Sequence, residues 1–253
     1  MKQMQGELNG KVALVTGASR RSGRATALRL ARHGAAVVVN ARNSLAEIEA
    51  VAEEIRSAGG QAIAHLCDVT DEEGVNRMAE TTIATFGGID ILVNNAAIRS
   101  QSPFTQMSFT TWREVTGPVL DGAFFCCRAA IPLMVDRSGG VIINIGGLTG
   151  HTGAFNRAHV VTAKAGLVGL TKALAVEFGH AGIRVNCVVP GRIGGHRSST
   201  AGAVARSNTP ALPPMEREGT VDEVAELVVA LVLSPGSYVT GQTIHVNGGL
   251  YLP

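Results

Sequence analysis

The chain has 253 residues, 45% of them hydrophobic, with 31 glycines and a formal net charge of +2. Its acids and bases are interspersed, which excludes the basic footprint of a nucleic-acid partner. The length suits one α/β domain over 1–253 with a sizeable core. The leading MKQMQGELNGK has no apolar h-region, and no apolar run reaches transmembrane length, so a soluble cytoplasmic protein without a membrane partner is expected. Cys67, Cys126, Cys127 and Cys187 lack metal-ligand spacing and read as buried thiols of a reducing compartment.

Lys11 to Val15 is a short apolar strand that enters TGASRRSGRATALRLARHG, a glycine turn followed by a helix ending at His33-Gly34. Ala35 to Val39 is the second strand, and Ser44-x-x-Glu47 predicts a capping box on the next helix, which Gly59-Gly60 stops. Ala62 to Leu66 is the third strand, followed by Thr70-x-x-Glu73 as a second capping box and a helix to Phe86-Gly87-Gly88. Asp90 to Val93 leads into Asn94-Asn95-Ala96-Ala97, then a helix from Ser108 to Ile131 in which Gly117-Pro118 predicts a kink. Val141 to Ile145, a helix over His159–Phe178, and Ile183 to Val188 before Pro190-Gly191 continue the alternation. Thr220-x-x-Glu223 caps a helix to Leu233, and Gln242 to Val246 is the last strand.

Short apolar strands alternating with helices imply right-handed βαβ units. The expected fold is α/β: a Rossmann-like, doubly wound, mainly parallel seven-stranded sheet with helices on both faces. Residues 192–219, rich in Ser, Gly, Ala and Pro, interrupt that rhythm after a strand's carboxyl end and read as a substrate lid.

Between first strand and first helix, Thr16, Gly17, Ser19, Arg20 and Gly23 form a turn at a helix N-terminus that suits a pyrophosphate. Asp68-Val69, Asn94, Ala96 and Pro190-Gly191 stand after later strands, at the edge where such a sheet binds its nucleotide. With these residues, Lys164 and the terminal GQTIHVNGG, the chain resembles the short-chain dehydrogenase/reductase family, particularly its 3-oxoacyl-carrier-protein-reductase-like members, from Lys11 to Gly249. The resemblance implies a dinucleotide-binding oxidoreductase that assembles as a tetramer or dimer of identical chains. The second strand ends VVVNARN with no acid to grip a ribose 2′-hydroxyl, while Arg20 and Arg42 are placed for a 2′-phosphate. NADP(H) is therefore expected over NAD(H).

The resemblance also implies catalysis by Asn, Ser, Tyr and Lys. Carried across, the lysine is Lys164, four residues after Val160 in the tyrosine position. Gly147 occupies the serine position and Val119 the asparagine position, seven after Trp112. Arg21 stands where the family's turn has a second glycine, and Gly195 where it has a threonine beside the nicotinamide. A tyrosine-donated proton is thus not available at Val160, and the family mechanism does not run unaltered.

His151, on the loop leaving the fifth strand, is the candidate acid/base with Lys164. His159 lies about 140° round the helix from Lys164 and reads as a satisfied or solvent-facing histidine. Arg99, Arg157, Arg192 and His196 frame the same opening and favour an anionic small molecule, a carboxylate or phosphate. No metal is expected. Three readings stay open at this point: an oxidoreductase with altered machinery for a small anionic carbonyl or hydroxy compound, a catalytically dead dinucleotide- or anion-binding regulatory protein, and an oligomer that contributes structure only. A lyase or isomerase on the same fold is a variant of the first.

Overall fold

A computed structural model describes residues 6–194 and 212–253. The strands are β1 (Val12–Val15), β2 (Ala36–Ala41), β3 (Gln61–Leu66), β4 (Ile91–Asn94), β5 (Gly140–Ile145), β6 (Ile183–Pro190) and β7 (Thr243–Val246). The helices are α1 (Arg21–Arg32), α2 (Leu45–Ser57), α3 (Glu72–Phe86), α4 (Phe109–Asp136), α5 (Thr149–Thr152), α6 (Ala158–Phe178) and α7 (Val221–Val232). All seven strands pair in parallel in the order β3-β2-β1-β4-β5-β6-β7, which is the sheet expected from the sequence.

Both faces are covered, because each central strand is apolar on both sides. Ala13, Val15, Val37 and Val39 pack with Leu30 of α1, Ile48 of α2 and Val228 of α7, whereas Leu14 and Val38 pack with Met78 of α3, Cys126 of α4 and Ala175 of α6. Alternate residues of one strand thus feed two separate cores. The strand order reverses between β1 and β4, the switch point at whose carboxyl ends sheets of this kind bind their ligands.

Three local expectations change. Thr220 and Glu223 do form a reciprocal capping box, but Ser44 makes no side-chain cap on α2. Ahead of α3 the N-cap is Asp71, and the Thr70 hydroxyl instead bonds Asp68 Oδ1 at 2.8 Å. A carboxylate two residues upstream competes successfully for that hydroxyl, as short polar side chains do in turns.

Helix α4 continues through Pro118 and also through Pro132, ending at Asp136 rather than Ile131. Moreover, α4 and the segment Ala158–Ala181 are each long and apolar enough to cross a membrane by length and composition, contrary to the sequence expectation. Their small residues, Gly, Ala, Thr and Cys, hid that apolarity from a search for unbroken aliphatic runs. Both helices pack on the sheet, and Val119 and Ala123 of α4 meet Ala163 and Leu167 of α6 in a third apolar cluster. All four cysteines are buried and unbridged.

Candidate functional site

The residues at the carboxyl ends of β1 and β4 hold each other. Buried Thr16 accepts at Oγ1 from the amides of Asn95 at 3.0 Å and Ala96 at 3.1 Å. Asn95 Nδ2 returns bonds to the carbonyls of Thr16 at 3.0 Å and Gly17 at 2.9 Å. Gly17, at φ 60°, approaches so closely that a Cβ there would lie 2.9 Å from Ala96 Cα. A Cβ on Gly23 would lie 2.4 Å from the Gly17 carbonyl oxygen. These glycines are required by backbone packing before any phosphate is considered.

Above this latch, α1 begins with exposed Arg20 as N-cap, no side chain capping its first turn and no acidic residue within it. Such a terminus presents amide donors and a positive dipole end to an anion. Ser19 is half-buried beside it. Arg21 holds a left-handed backbone, φ 51°, which is the conformation a glycine would take without strain. Its Nη2 reaches across to donate to the carbonyls of Ile193 at 3.0 Å and Gly194 at 3.3 Å.

The end of β2 carries Arg42, half-exposed and 3.9 Å from Asp68 Oδ2, with no acid on β2 itself. Asp68 spends Oδ1 on the amide of Thr70 at 2.9 Å and its hydroxyl. Val69 is buried and packs against Gly122 of α4, where a Cβ would meet it at 2.6 Å. Exposed Arg20, Arg42 and the uncapped α1 terminus are therefore groups that suit an anionic ligand.

Asn94 points its amide into the protein. Its Nδ2 donates to Asn144 Oδ1 at 2.9 Å, and Asn144 Nδ2 donates to Thr171 Oγ1 at 2.9 Å. Thr171 in turn donates to the Leu167 carbonyl at 2.8 Å. This buried ladder across β4, β5 and α6 was not foreseen. Two asparagines in otherwise aliphatic strands were its only sequence signal, since a buried amide demands partners.

Lys164 lies in α6 and is 9% exposed. Its Nζ donates to the Ile145 carbonyl at 2.6 Å, at the carboxyl end of β5. Burial first, and the nearby Arg99 guanidinium second, push its pKa down from 10.5 to about 8. Gly147 stands against its stem, where a Cβ would lie 3.4 Å from Cγ. Val160, one helical turn earlier, is buried. Val119 belongs to the apolar cluster between α4 and α6.

His151 sits on α5, beside Gly150, whose Cβ position would be 3.0 Å from Lys164 Cβ. Its ring packs on His245 of β7 at 4.7 Å between centroids and on Tyr251 at 5.5 Å, and His245 lies 5.0 Å from Tyr251. His151 Nε2 and His245 Nδ1 are buried without a hydrogen-bond partner among the described residues. Burial holds both rings below the ordinary imidazole range, and His151 further lowers His245. Sequence reasoning singled out His151 but neither His245 nor Tyr251, which reach it only because β7 is the edge strand beside β6.

His159 is neither satisfied nor solvent-facing. It is fully buried, its Nδ1 accepts from the Val160 amide at 3.0 Å, and Nε2 meets no hydrogen-bond partner among the described residues. The first turn of α6 draws the ring inward over its own backbone. Arg157, the N-cap of α6, is also buried, while Arg99 is exposed on the loop after β4.

Pro190 ends β6, and its carbonyl accepts from the Leu148 amide at 3.3 Å. Gly191 donates to the Val246 carbonyl at 2.8 Å and packs on Asn247, where a Cβ would come within 2.6 Å. Gly195 and His196 lie outside the described residues, as does the middle of the expected lid; its two ends are joined by the Ile193–Gly219 bridge. Among the described residues no cluster of three metal-ligating side chains occurs.

A family model described as enoyl-(acyl carrier protein) reductase matches residues 17–251. Among curated proteins the chain is similar to the 3-oxoacyl-(acyl-carrier-protein) reductase FabG of Staphylococcus aureus strain Mu50, 39% identical over 242 residues, 96% of this chain and 98% of that protein. It is 38% identical over 242 residues to the FabG of Staphylococcus epidermidis strain RP62A, covering 96% and 99% of the two chains. The 3-oxoacyl-(acyl-carrier-protein) reductase of Synechocystis is 40% identical over 248 residues, 97% of this chain and 98% of that one.

Proposed function

The chain belongs to the short-chain dehydrogenase/reductase family, and from that premise we propose that it is an NADP(H)-dependent cytoplasmic oxidoreductase acting on a small anionic carbonyl or hydroxy compound by an altered proton route. One observation carries the cofactor assignment: α1 opens without a cap or an acid, beside Arg20, and β2 ends at Arg42 without a carboxylate of its own. A 2′-phosphate would pair with these guanidiniums, whereas β2 offers a bare ribose no carboxylate of its own.

Arg20, Arg42 and the α1 amides would hold the phosphates of the dinucleotide, and Lys164 and Pro190-Gly191 are the residues that would face its reactive end. When bound, NADPH supplies the hydride. Lys164, with a pKa of about 8, is protonated at neutral pH and lies one helical turn from Val160. His151, neutral at that pH, is the second candidate for proton traffic. The Arg99 guanidinium acts on Lys164, and buried Arg157 is the N-cap of the helix that carries it, and these cations support a carboxylate- or phosphate-bearing substrate.

A second reading has its own support. Val119 and Val160 are buried and aliphatic, and Gly147 has no side chain, so the three positions that imply the family's Asn, Ser and Tyr chemistry contribute no polar group. On that reading the chain binds NADP(H) without turnover, and assembles with copies of itself.

Calorimetry with NADPH, NADH and NADP⁺, followed by a carbonyl screen with acetoacetyl thioesters and 2-oxo acids, tests both. NADPH binding with oxidation of the cofactor supports the enzyme. Binding without turnover supports the second reading, and no dinucleotide binding overturns both.

A further inference from the structure

Arg21 stands in a backbone conformation that costs a side chain such as arginine about 1 kcal/mol or more relative to glycine. The strain is kept, and the side chain it carries links two loops at the carboxyl edge of the sheet. One is the glycine turn after β1, and the other is the exit of β6 at Ile193 and Gly194. Those two residues are in turn tied down: the Gly194 amide donates to the Gly219 carbonyl at 2.8 Å, and the Gly219 amide donates to the Arg192 carbonyl at 3.0 Å. Strain held at a ligand-binding turn is a pointer to function.

The two carbonyls that Nη2 reaches, those of Ile193 and Gly194, are neutral, and the second lies at 3.3 Å. A phosphate oxygen is charged and accepts from the planar fork at two points, which roughly doubles the strength of each bond. The same side chain emerges from the first residue of α1, whose amide terminus already favours an anion.

We propose that Arg21 is a phosphate ligand for the dinucleotide and that its bonds to Ile193 and Gly194 belong to the ligand-free protein. On binding, the guanidinium leaves the two carbonyls for the pyrophosphate and releases Arg192–Gly194 from the glycine turn. A position that is glycine in the family's turn, and only permits close approach there, here supplies a charge and couples the nucleotide to the exit of β6. The inference rests on the NADP(H) reading above.

The test combines NADPH calorimetry at two salt concentrations with amide hydrogen exchange at Gly194 and Gly219, in the full chain and in Arg21→Gln and Arg21→Lys. Thermal unfolding serves as a folding control. Expected are about tenfold weaker NADPH binding and a shallower salt dependence in Arg21→Gln, with Arg21→Lys restoring the salt dependence. In the unsubstituted chain NADPH accelerates exchange at Gly194 and Gly219, whereas Arg21→Gln exchanges fast with or without it. Equal affinity in Arg21→Gln, tighter binding in that variant, or increased protection of both amides in the unsubstituted chain overturns the assignment and leaves the NADP(H) reading standing. Failure of the unsubstituted chain and both variants to bind NADPH overturns the NADP(H) reading, and the role of Arg21 with it.

Discussion

Lys164 Nζ donates to the backbone carbonyl of Ile145 at 2.6 Å, so the buried ammonium is held at the carboxyl end of β5 by a neutral partner. No buried carboxylate offsets it there, and its pKa falls to about 8. The sign follows from proton counting. Between pH 8 and the ordinary lysine value of 10.5, the unfolded chain binds more protons than the folded one, so stability rises with pH across that window. The penalty is fully present below pH 8 and absent above 10.5, a difference of roughly 3 kcal/mol at most. Urea unfolding of the unsubstituted chain and Lys164→Met at pH 7, 8, 9 and 10 checks it. The difference between the two curves isolates Lys164, and parallel curves would refute the depressed pKa.

Arg21 separates backbone strain from side-chain bonding. Arg21→Ala keeps the left-handed backbone and loses the bonds to Ile193 and Gly194, so it is expected to destabilise by about 1–2 kcal/mol. Arg21→Gly loses the same bonds but removes the strain, and should recover about 1 kcal/mol relative to alanine. Denaturant midpoints of the two variants decide this, and alanine no less stable than glycine contradicts the positive φ.

Gly23 is a packing requirement. A methyl group would lie 2.4 Å from the Gly17 carbonyl and 2.5 Å from Asn95 Nδ2, neither of which is a free side-chain end. Gly23→Ala is expected to destabilise by about 1–3 kcal/mol and to weaken NADPH binding by displacing the turn. Gly59→Ala serves as the control, since it faces open space yet has φ 88° and so carries backbone strain alone.

How much of this was readable beforehand depends on distance along the chain. Hydrophobic runs and glycine stops are local, and they placed seven strands along the chain, but not their order in the sheet. Capping was local too, but Ser44 and Thr70 show that a short polar side chain chooses among nearby partners, and the choice of Asp68 by Thr70 depends on three-dimensional geometry. Positions in the site defined by one turn, such as Val160 against Lys164, were legible from helical period. The Arg21–Ile193 bond and the His151–His245–Tyr251 contact were not, because each joins residues that only the sheet order brings together.

A Cβ at Gly147 would meet Lys164 Cγ at 3.4 Å and Cδ at 3.8 Å, both ordinary contacts with a flexible stem, and the glycine has no positive φ. Gly147→Ser should therefore fold with little loss of stability. Val160→Tyr places a phenol one turn from Lys164, whose retained positive charge at neutral pH lowers the phenol's pKa. If the scaffold lacks only its proton donor, the double variant gains NADPH-dependent reduction of an acetoacetyl thioester. The expected gain is about 10²–10⁴-fold over the unsubstituted chain, the usual contribution of a positioned general acid. Each single variant should gain far less, since serine without tyrosine orients an oxygen that nothing protonates. A folded double variant that binds NADPH but reduces nothing would place the deficit elsewhere in the site, with Val119 the next position to restore, as Val119→Asn. If instead the unsubstituted chain already matches the double variant, the altered proton route through Lys164 and His151 is sufficient, and Lys164→Met should abolish it.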